Sequence, residues 1–477
     1  MSSQFKYQEI DFLIPSQEFI VNFSYVSGKG LSFIREYVLR LINIAPMTKM
    51  QIAMYFGLSD IEVTEAIDDL IEQDFIKLNS DGRLGLTELA NKLFTDVASD
   101  VSLTTIEEST AKIKFDLATF SYFKRDQNGG LNNWACGLKL NAPPEHLAYA
   151  TEYVKTEFQD EFFQIAENNY LPNSVTKEKH RPHLYMINSV IPTFNSPLRI
   201  KVDFKIDHKG DPVLLEKFSN LSNSDQIHSL LAEHLDQMKR SHNANNAKEI
   251  IKALELFGDR YTAQFLDEQC QIKSLVDLQD GLVGEIIGGV NYNLLLGPIY
   301  QEENWKVLEK EIQMISKHQQ VSNKSNNALQ LTWIAPSNPF WGMTSKVGVA
   351  FESVQEAFRD NKGLTAKVFL PIGNQYDKHS AKTWLNIFKP YAKLLNGIKE
   401  GFCDGNVEIL HIENELVAIT YHVNHSERLP VTMPIGFFTK DRNTVNHIGR
   451  ILDQYLKGYV AYDEPNNCGH LQRIIGR

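Results

Sequence analysis

Histidines set close to carboxylates are the residues of this chain whose types and spacing could do chemistry. His422-x-x-His425 with Glu427 offers two imidazoles and a carboxylate, the donor set of a zinc or non-haem metal site, and His411 and His447 fall in neighbouring elements. On a strand, positions three apart face opposite sides, so shared ligation needs a turn at Asn424, which Pro430 and Pro434 make credible. The alternative is a set of strand-end or surface histidines. Cations supply a second kind of chemistry. Lys179 and Arg181 stand in the most basic short run, residues 177–183, and could clamp a phosphate or simply line a solvated loop. Beyond it Leu198, Ile200, Val202, Phe204 and Ile206 alternate with Arg199, Lys201, Asp203, Lys205 and Asp207. That period predicts a strand with one buried face and one charged face. Arg199, Lys201 and Lys205 are therefore the candidate nucleic-acid contacts, with a cross-strand salt ladder as the alternative.

Other chemistries lack their residues. Ser27-Gly28-Lys29-Gly30 holds a fragment of a phosphate loop without the earlier glycine or the Lys-Ser/Thr ending, and no dinucleotide fingerprint occurs. Neither a Gly-x-Ser-x-Gly elbow nor a His-Glu-x-x-His motif is present. No cofactor is expected. Cys136, Cys270, Cys403 and Cys468 are scattered with no pair at metal-ligand spacing, which fits thiols in a reducing compartment. With 43% hydrophobic and 22% charged residues over 477 positions, two or three domains with real cores are expected. A net charge of −11 argues against a general polyanion binder while permitting a local basic patch. The start of the chain lacks the basic lead and apolar run of a signal peptide, and Leu282 to Tyr300 is broken by Glu285, Asn291 and Asn293. A soluble cytoplasmic protein with no membrane partner is the expectation.

The elements that must position these residues are clearest between Leu31 and Phe94. Ile34, Val38, Leu41 and Ile42 recur at helical spacing; Thr48 with Gln51 and Ser59 with Glu62 make capping boxes that open two further helices. Gly57 closes the second helix, and Val63, Ile67, Leu70 and Ile71 stripe the third. Asn79-Ser80-Asp81-Gly82 then turns a short hairpin. This order resembles a winged-helix domain, a resemblance that covers about a seventh of the chain and implies a third helix lying in a DNA groove. Here, however, that helix brings Asp60, Glu62, Glu65, Asp68, Asp69, Glu72 and Asp74 with no basic residue before Lys77. Residues 1–100 carry 8 Lys or Arg against 15 Asp or Glu, a net of −7. Such a surface repels phosphates, so a protein partner is expected in place of DNA.

Residues 101–270 read as a mixed region, helical from about 100 to 180, with Leu147 to Asn168 amphipathic and further helices at Ser224 to Lys239 and Ala247 to Phe257. From 271 onward, strands and helices alternate. Strands are expected at Tyr292 to Ile299, Ala328 to Ala335, Ala366 to Pro371 and Val407 to His422. Helices are expected at Trp305 to His318, Ser353 to Asp360, Ala381 to Gly401 and Thr444 to Tyr459. The fold class is thus α/β in the last domain and α+β overall, with domains at 1–100, 101–270 and 271–477. Trp333, Phe340 and Trp341 form an aromatic loop that either stacks on bases or packs on the sheet.

The stretch from Val407 to Ile419, followed by a glycine-led segment at Met433 to Thr439, is similar in layout to the phospholipase D-like superfamily. In that family a strand carries His-x-Lys-x4-Asp, and the resemblance implies that His411 would be a phosphodiester nucleophile working without metal. Glu413 stands where the lysine belongs and Ala418 where the aspartate belongs, and no second His-x-Lys occurs. A carboxylate in the phosphate-binding position repels the substrate. The resemblance therefore implies an inactive relative used for binding. A winged helix joined to such a domain looks like components of bacterial defence or genome-maintenance systems that act with helicase or nuclease partners. The expected function is a non-catalytic binding or assembly component of a nucleic-acid-processing or antiviral system. The alternatives are a phosphodiesterase or nuclease using His411 or the His422/His425/Glu427 group, and a DNA-binding regulator. A protein partner is expected through the winged helix, and nucleic acid through the middle or C-terminal region.

Overall fold

The structure, a computed structural model, describes residues 4–26, 33–94, 106–123, 135–176, 182–215, 218, 221, 224–241, 245–273, 275, 284–287, 290–322, 329–359, 364–460 and 464–476. The chain divides into two compact units. The first comprises Met1–Pro15, Asp126–Ala142 and Ser196–Arg477, and the second comprises Ser16–Arg125 and Pro143–Asn195. This differs from three consecutive domains because two long strands, β1 (Gln4–Val26) and β7 (His183–Asp207), each give residues to both units.

In the second unit the later part of β1 pairs antiparallel with β4 (Ile106–Asp116), in register from Ser16↔Asp116 to Val26↔Ile106, and β4 pairs with β5 (Tyr122–Phe123). Helices α1 (Phe33–Ile44), α2 (Lys49–Phe56) and α3 (Asp60–Glu72) precede a hairpin of β2 (Ile76–Leu78) and β3 (Leu84–Leu86) and a short α4 (Glu88–Leu93). Both expected capping boxes form, Thr48 with Gln51 and Ser59 with Glu62, and Gly57 closes α2 at φ 68. Val38, Leu39, Ile42, Ile52, Val63, Ile67, Leu70, Ile76 and Leu84 make the core of this segment. Ile34 and Ile71, expected in the buried stripes, are 43% and 44% exposed. On α3, Ile71 falls off the centre of the Val63–Ile67–Leu70 stripe. Helices α5 (Pro144–Ala148), α6 (Ala150–Asp160), α7 (Phe162–Glu167) and α8 (Asn173–Thr176) complete the unit.

The first unit holds β6 (Leu138–Lys139), parallel to the start of β1, and the helices α9 (Ser224–Ser241), α10 (Ala247–Phe257) and α11 (Arg260–Ala263). Its main feature is a nine-stranded sheet. The strands are β8 (Gly284–Ile287), β9 (Val290–Leu296), β10 (Leu329–Ile334), β11 (Leu364–Ile372), β12 (Leu395–Lys399), β13 (Val407–Ile412), β14 (Leu416–Val423), β15 (Met433–Thr439) and, after the small β16 (Tyr459–Val460) and β17 (Glu464–Pro465) pair, β18 (Asn467–His470). Their order is β18-β12-β11-β10-β13-β14-β15-β9-β8. Only β10, β11 and β12 run parallel to one another, joined by α13 (Lys346–Arg359) and α14 (Lys378–Ile387); the pairings beyond them are antiparallel. Helices α12 (Glu302–Ser322), α15 (Arg442–Lys457) and α16 (Leu471–Gly476) complete the α+β fold.

One sequence expectation is extended and two give way. Residues 1–30 read in sequence as a lead-in strand and loop, and the strand forms but runs for 23 residues, Gln4–Val26; 106–116 is strand β4 inside a stretch expected to be helical. The helix expected from Ala381 to Gly401 ends at Ile387. Pro390 sits at the start of a 3₁₀ turn, Lys389–Leu394, and the chain then enters β12.

Candidate functional site

A cavity of about 520 Å³ opens beyond the ends of β10 and β12 in the first unit, where the chain leaves β10 towards β11 on one side and later returns as β13 on the other. Such a reversal of strand order is where open sheets leave a crevice. Its lining is mixed: Asn246, Asn338, Asn406 and Asn424 contribute amides, Glu249, Glu400 and Asp404 contribute carboxylates, and Met238, Phe340 and Pro430 are apolar. The loop bearing Asp404 is strained, since Cys403 and Asp404 hold φ of 48° and 54°.

His422 lines this cavity with 1% exposure. The backbone N–H of Phe340 donates to Asn338 Oδ1 at 2.9 Å, which fixes the orientation of that amide. Asn338 Nδ2 then donates to Thr432 Oγ1 at 2.6 Å and to His422 Nδ1 at 3.0 Å. An imidazole that accepts at Nδ1 carries its proton on Nε2, and that atom lies 3.5 Å from Glu408 Oε2. Glu408 is fully buried. Its Oε1 accepts from the indoles of Trp333 at 3.0 Å and Trp341 at 2.8 Å. Its Oε2 accepts from the Ile299 amide at 3.0 Å and from the Thr420 hydroxyl at 3.2 Å. All four of these partners are donors, so both Glu408 oxygens are taken up within the chain. Asn246 closes the floor, donating to Asn406 Oδ1 at 2.7 Å and to the His422 carbonyl at 2.9 Å and accepting from the Asn424 amide at 2.7 Å.

The expected metal group does not come together. His425 Nε2 lies 3.1 Å from Gln271 Nε2, Glu427 is exposed, and His422 turns to Asn338 and Glu408. Among the described residues no three His, Cys, Asp or Glu side chains are arranged to hold a metal ion. His411 is also placed differently from a nucleophile. It sits on β13 at 8% exposure, with Nε2 3.1 Å from the Val445 carbonyl and its ring against Gly449 of α15, outside the cavity lining. Burial pushes its pKa down. Gly436, which leads the segment matched by layout, has a packing reason: a Cβ there would stand 1.9 Å from the Ile419 carbonyl oxygen across the β14–β15 pair.

The charged strand divides its cations. Arg199 is drawn inward, donating to Asp11 Oδ2 at 2.7 Å, to the Cys136 carbonyl at 2.7 Å and to the Ala135 carbonyl at 3.1 Å. A guanidinium so engaged is not offered to phosphate, which corrects its place among the nucleic-acid contacts. Lys201 is exposed and Lys205 half-buried, while Asp203 of the same strand pairs with Lys6 at 3.1 Å, as in a salt ladder. Lys179 and Arg181 lie outside the described residues. The aromatic loop packs rather than stacks outward, for Trp333 and Trp341 are fully buried.

No protein-family model, curated protein or solved structure matches the chain. The second unit carries the other candidate, a surface. Ile44, Met50, Met54, Tyr55 and Ile61 are 80%, 73%, 78%, 68% and 79% exposed. The Lys49–Asp60 ion pair at 2.8 Å ties the starts of α2 and α3, and Met50 and Ile61 are the next residues along each helix. The acidic character of α3 was legible in the sequence; the uncovered apolar side chains beside it were not. Glu408 also escaped notice, although one acid inside the apolar run Val407 to Ile412 was a signal of a buried carboxylate with dedicated donors.

Proposed function

We propose that the chain is a non-catalytic binding and assembly protein, and that its α1–α3 and hairpin segment, read as a winged helix, meets a polypeptide rather than DNA. The observation that carries this is the group of large apolar side chains on α2 and α3, Met50, Met54, Tyr55 and Ile61, 68–79% exposed, on a segment whose third helix carries a row of carboxylates. Several large apolar side chains left exposed beside charge mark a protein contact, and the carboxylates set this segment against a phosphate backbone. A place in a nucleic-acid-processing or antiviral assembly follows only from the resemblance in domain arrangement. The phosphodiesterase reading has less support, with His411 mostly buried against α15 and, among the described residues, no metal-holding group of three around His422, His425 and Glu427.

The test is retrieval of a defined protein by the tagged intact chain, with a Met54→Ser/Ile61→Ser variant beside it. A partner held by the wild type and released by the variant is expected. Duplex DNA bound through residues 59–74, or phosphodiester hydrolysis lost in His411→Ala, would overturn the proposal.

A further inference from the structure

Resting on that reading, we infer that the partner of the α2–α3 face is a basic amphipathic segment, an apolar stripe flanked by Lys or Arg. On α3 the residues Ile61, Glu65, Asp68 and Glu72 follow one another at spacings of four, three and four, which places them on a single stripe. That stripe lies opposite Val63, Ala66, Ile67 and Leu70, the residues α3 buries. Glu65, Asp68 and Glu72 are all exposed, and among the described residues none of them makes an ion pair. The nearby cations are engaged elsewhere: Lys49 with Asp60, Arg35 with Asp69 and Arg40 with Glu36. On α2, Met50 and Met54 are four apart and share one exposed face, opposite the buried Ile52.

From Ile61 to Glu72 the stripe runs for about 16 Å, roughly three helical turns. Ile61 begins this stripe and carboxylates follow it, and the Lys49–Asp60 pair brings the start of α2, with Met50 one turn before Met54, to the Ile61 end, so apolar anchoring at that end meets a track of negative charge along the rest. Unbranched methionines adapt to varied apolar partners, while the carboxylates select by charge. Charge also disposes of the other occupants. A second copy meeting the same face about a two-fold axis would lay one acidic stripe against another. Duplex DNA and anionic lipid carry the same sign as the stripe.

The experiment uses the intact chain and two labelled synthetic helical peptides with one shared apolar face, one bearing Lys on its flanks and the other Glu, read by fluorescence anisotropy. The Lys peptide is expected to bind about tenfold more tightly or better, and to lose that advantage at high salt. A Glu65→Lys/Asp68→Lys/Glu72→Lys variant should invert the preference, and a Met50→Ser/Met54→Ser/Ile61→Ser variant should bind neither peptide; circular dichroism verifies that both keep their helices. Equal binding of the two peptides, abolished by the serine variant, would overturn the charge selection and leave the polypeptide-binding face standing. Failure of both peptides to bind, together with retention of the native partner by the serine variant, would remove the face itself. A dimer that the serine variant dissolves would assign the face to a second copy and overturn the inference.

Discussion

Glu408 and Glu65 are the same side chain in opposite circumstances. Glu408 sits in the middle of a nine-stranded sheet with two indoles, an amide and a hydroxyl donating to it, while Glu65 stands on the outer stripe of α3 with water as its neighbour. The apolar residues around them are reversed in the same way. Trp333 and Trp341 are sealed beside the first carboxylate, and Ile61 is bare beside the second. A carboxylate whose lone pairs are all engaged by its own chain is a structural element with nothing left over for a ligand. One left without a partner next to uncovered apolar surface has its interactions still to make. On the proposed reading, the contrast gives stability to one region and recognition to the other.

That division breaks most visibly if Glu408 is removed. Glu408→Ala leaves two indole N–H groups and a backbone amide buried without an acceptor, and a loss of about 4 kcal/mol is expected, read as a fall in the thermal midpoint. A change below about 1 kcal/mol would mean that Glu408 is not the keystone of this core. Next, Arg199→Leu should cost about 3 kcal/mol, because Asp11 is fully buried and would lose its counter-charge. Denaturant titration of this variant tests whether the cation serves the fold. Undiminished stability, with weakened binding to a nucleic acid, would return Arg199 to the recognition side.

A smaller effect is expected from pH. Burial holds the His411 imidazole below its ordinary 6.5, so the unfolded chain takes up that proton first as the solution is acidified. Stability should therefore fall as pH drops below 6.5 and stop falling on this account below the folded value. His411→Gln should flatten the slope in part, since His234, also held down by burial, leaves a residue of it. An unchanged slope across denaturation curves at several pH values would place His411 in contact with water. The least change is expected where recognition is assigned: lysine at Glu65, Asp68 or Glu72 should alter stability by less than about 0.5 kcal/mol each. A larger loss at any of the three would show that the stripe supports the fold as well.

What could be read from the residues alone follows how local the determining interactions are. The helices and hairpin between Phe33 and Leu86 announce themselves because each capping box closes within three residues and the turn within four. Strand β1 does not, for its partners lie about a hundred residues away on β4 and further still on β7. The alternation from Leu198 to Ile206 was readable, yet the destination of Arg199 depends on Asp11, 188 positions distant. Around the cavity the same limit applies. The spacing of His422 and His425 suggests ligands, whereas Asn338 and Glu408, which determine how His422 is held, come from other elements.

The buried indoles carry one more consequence. Among the described residues Trp305, Trp333, Trp341 and Trp384 belong to the first unit, and the stretches 16–125 and 143–195 contain no tryptophan. Intrinsic emission excited at the red edge of the protein spectrum is thus a private reporter of the sheet-bearing unit. The second unit contributes nothing in that channel, so the difference in emission between a Tyr55→Trp variant and the wild type reports its melting.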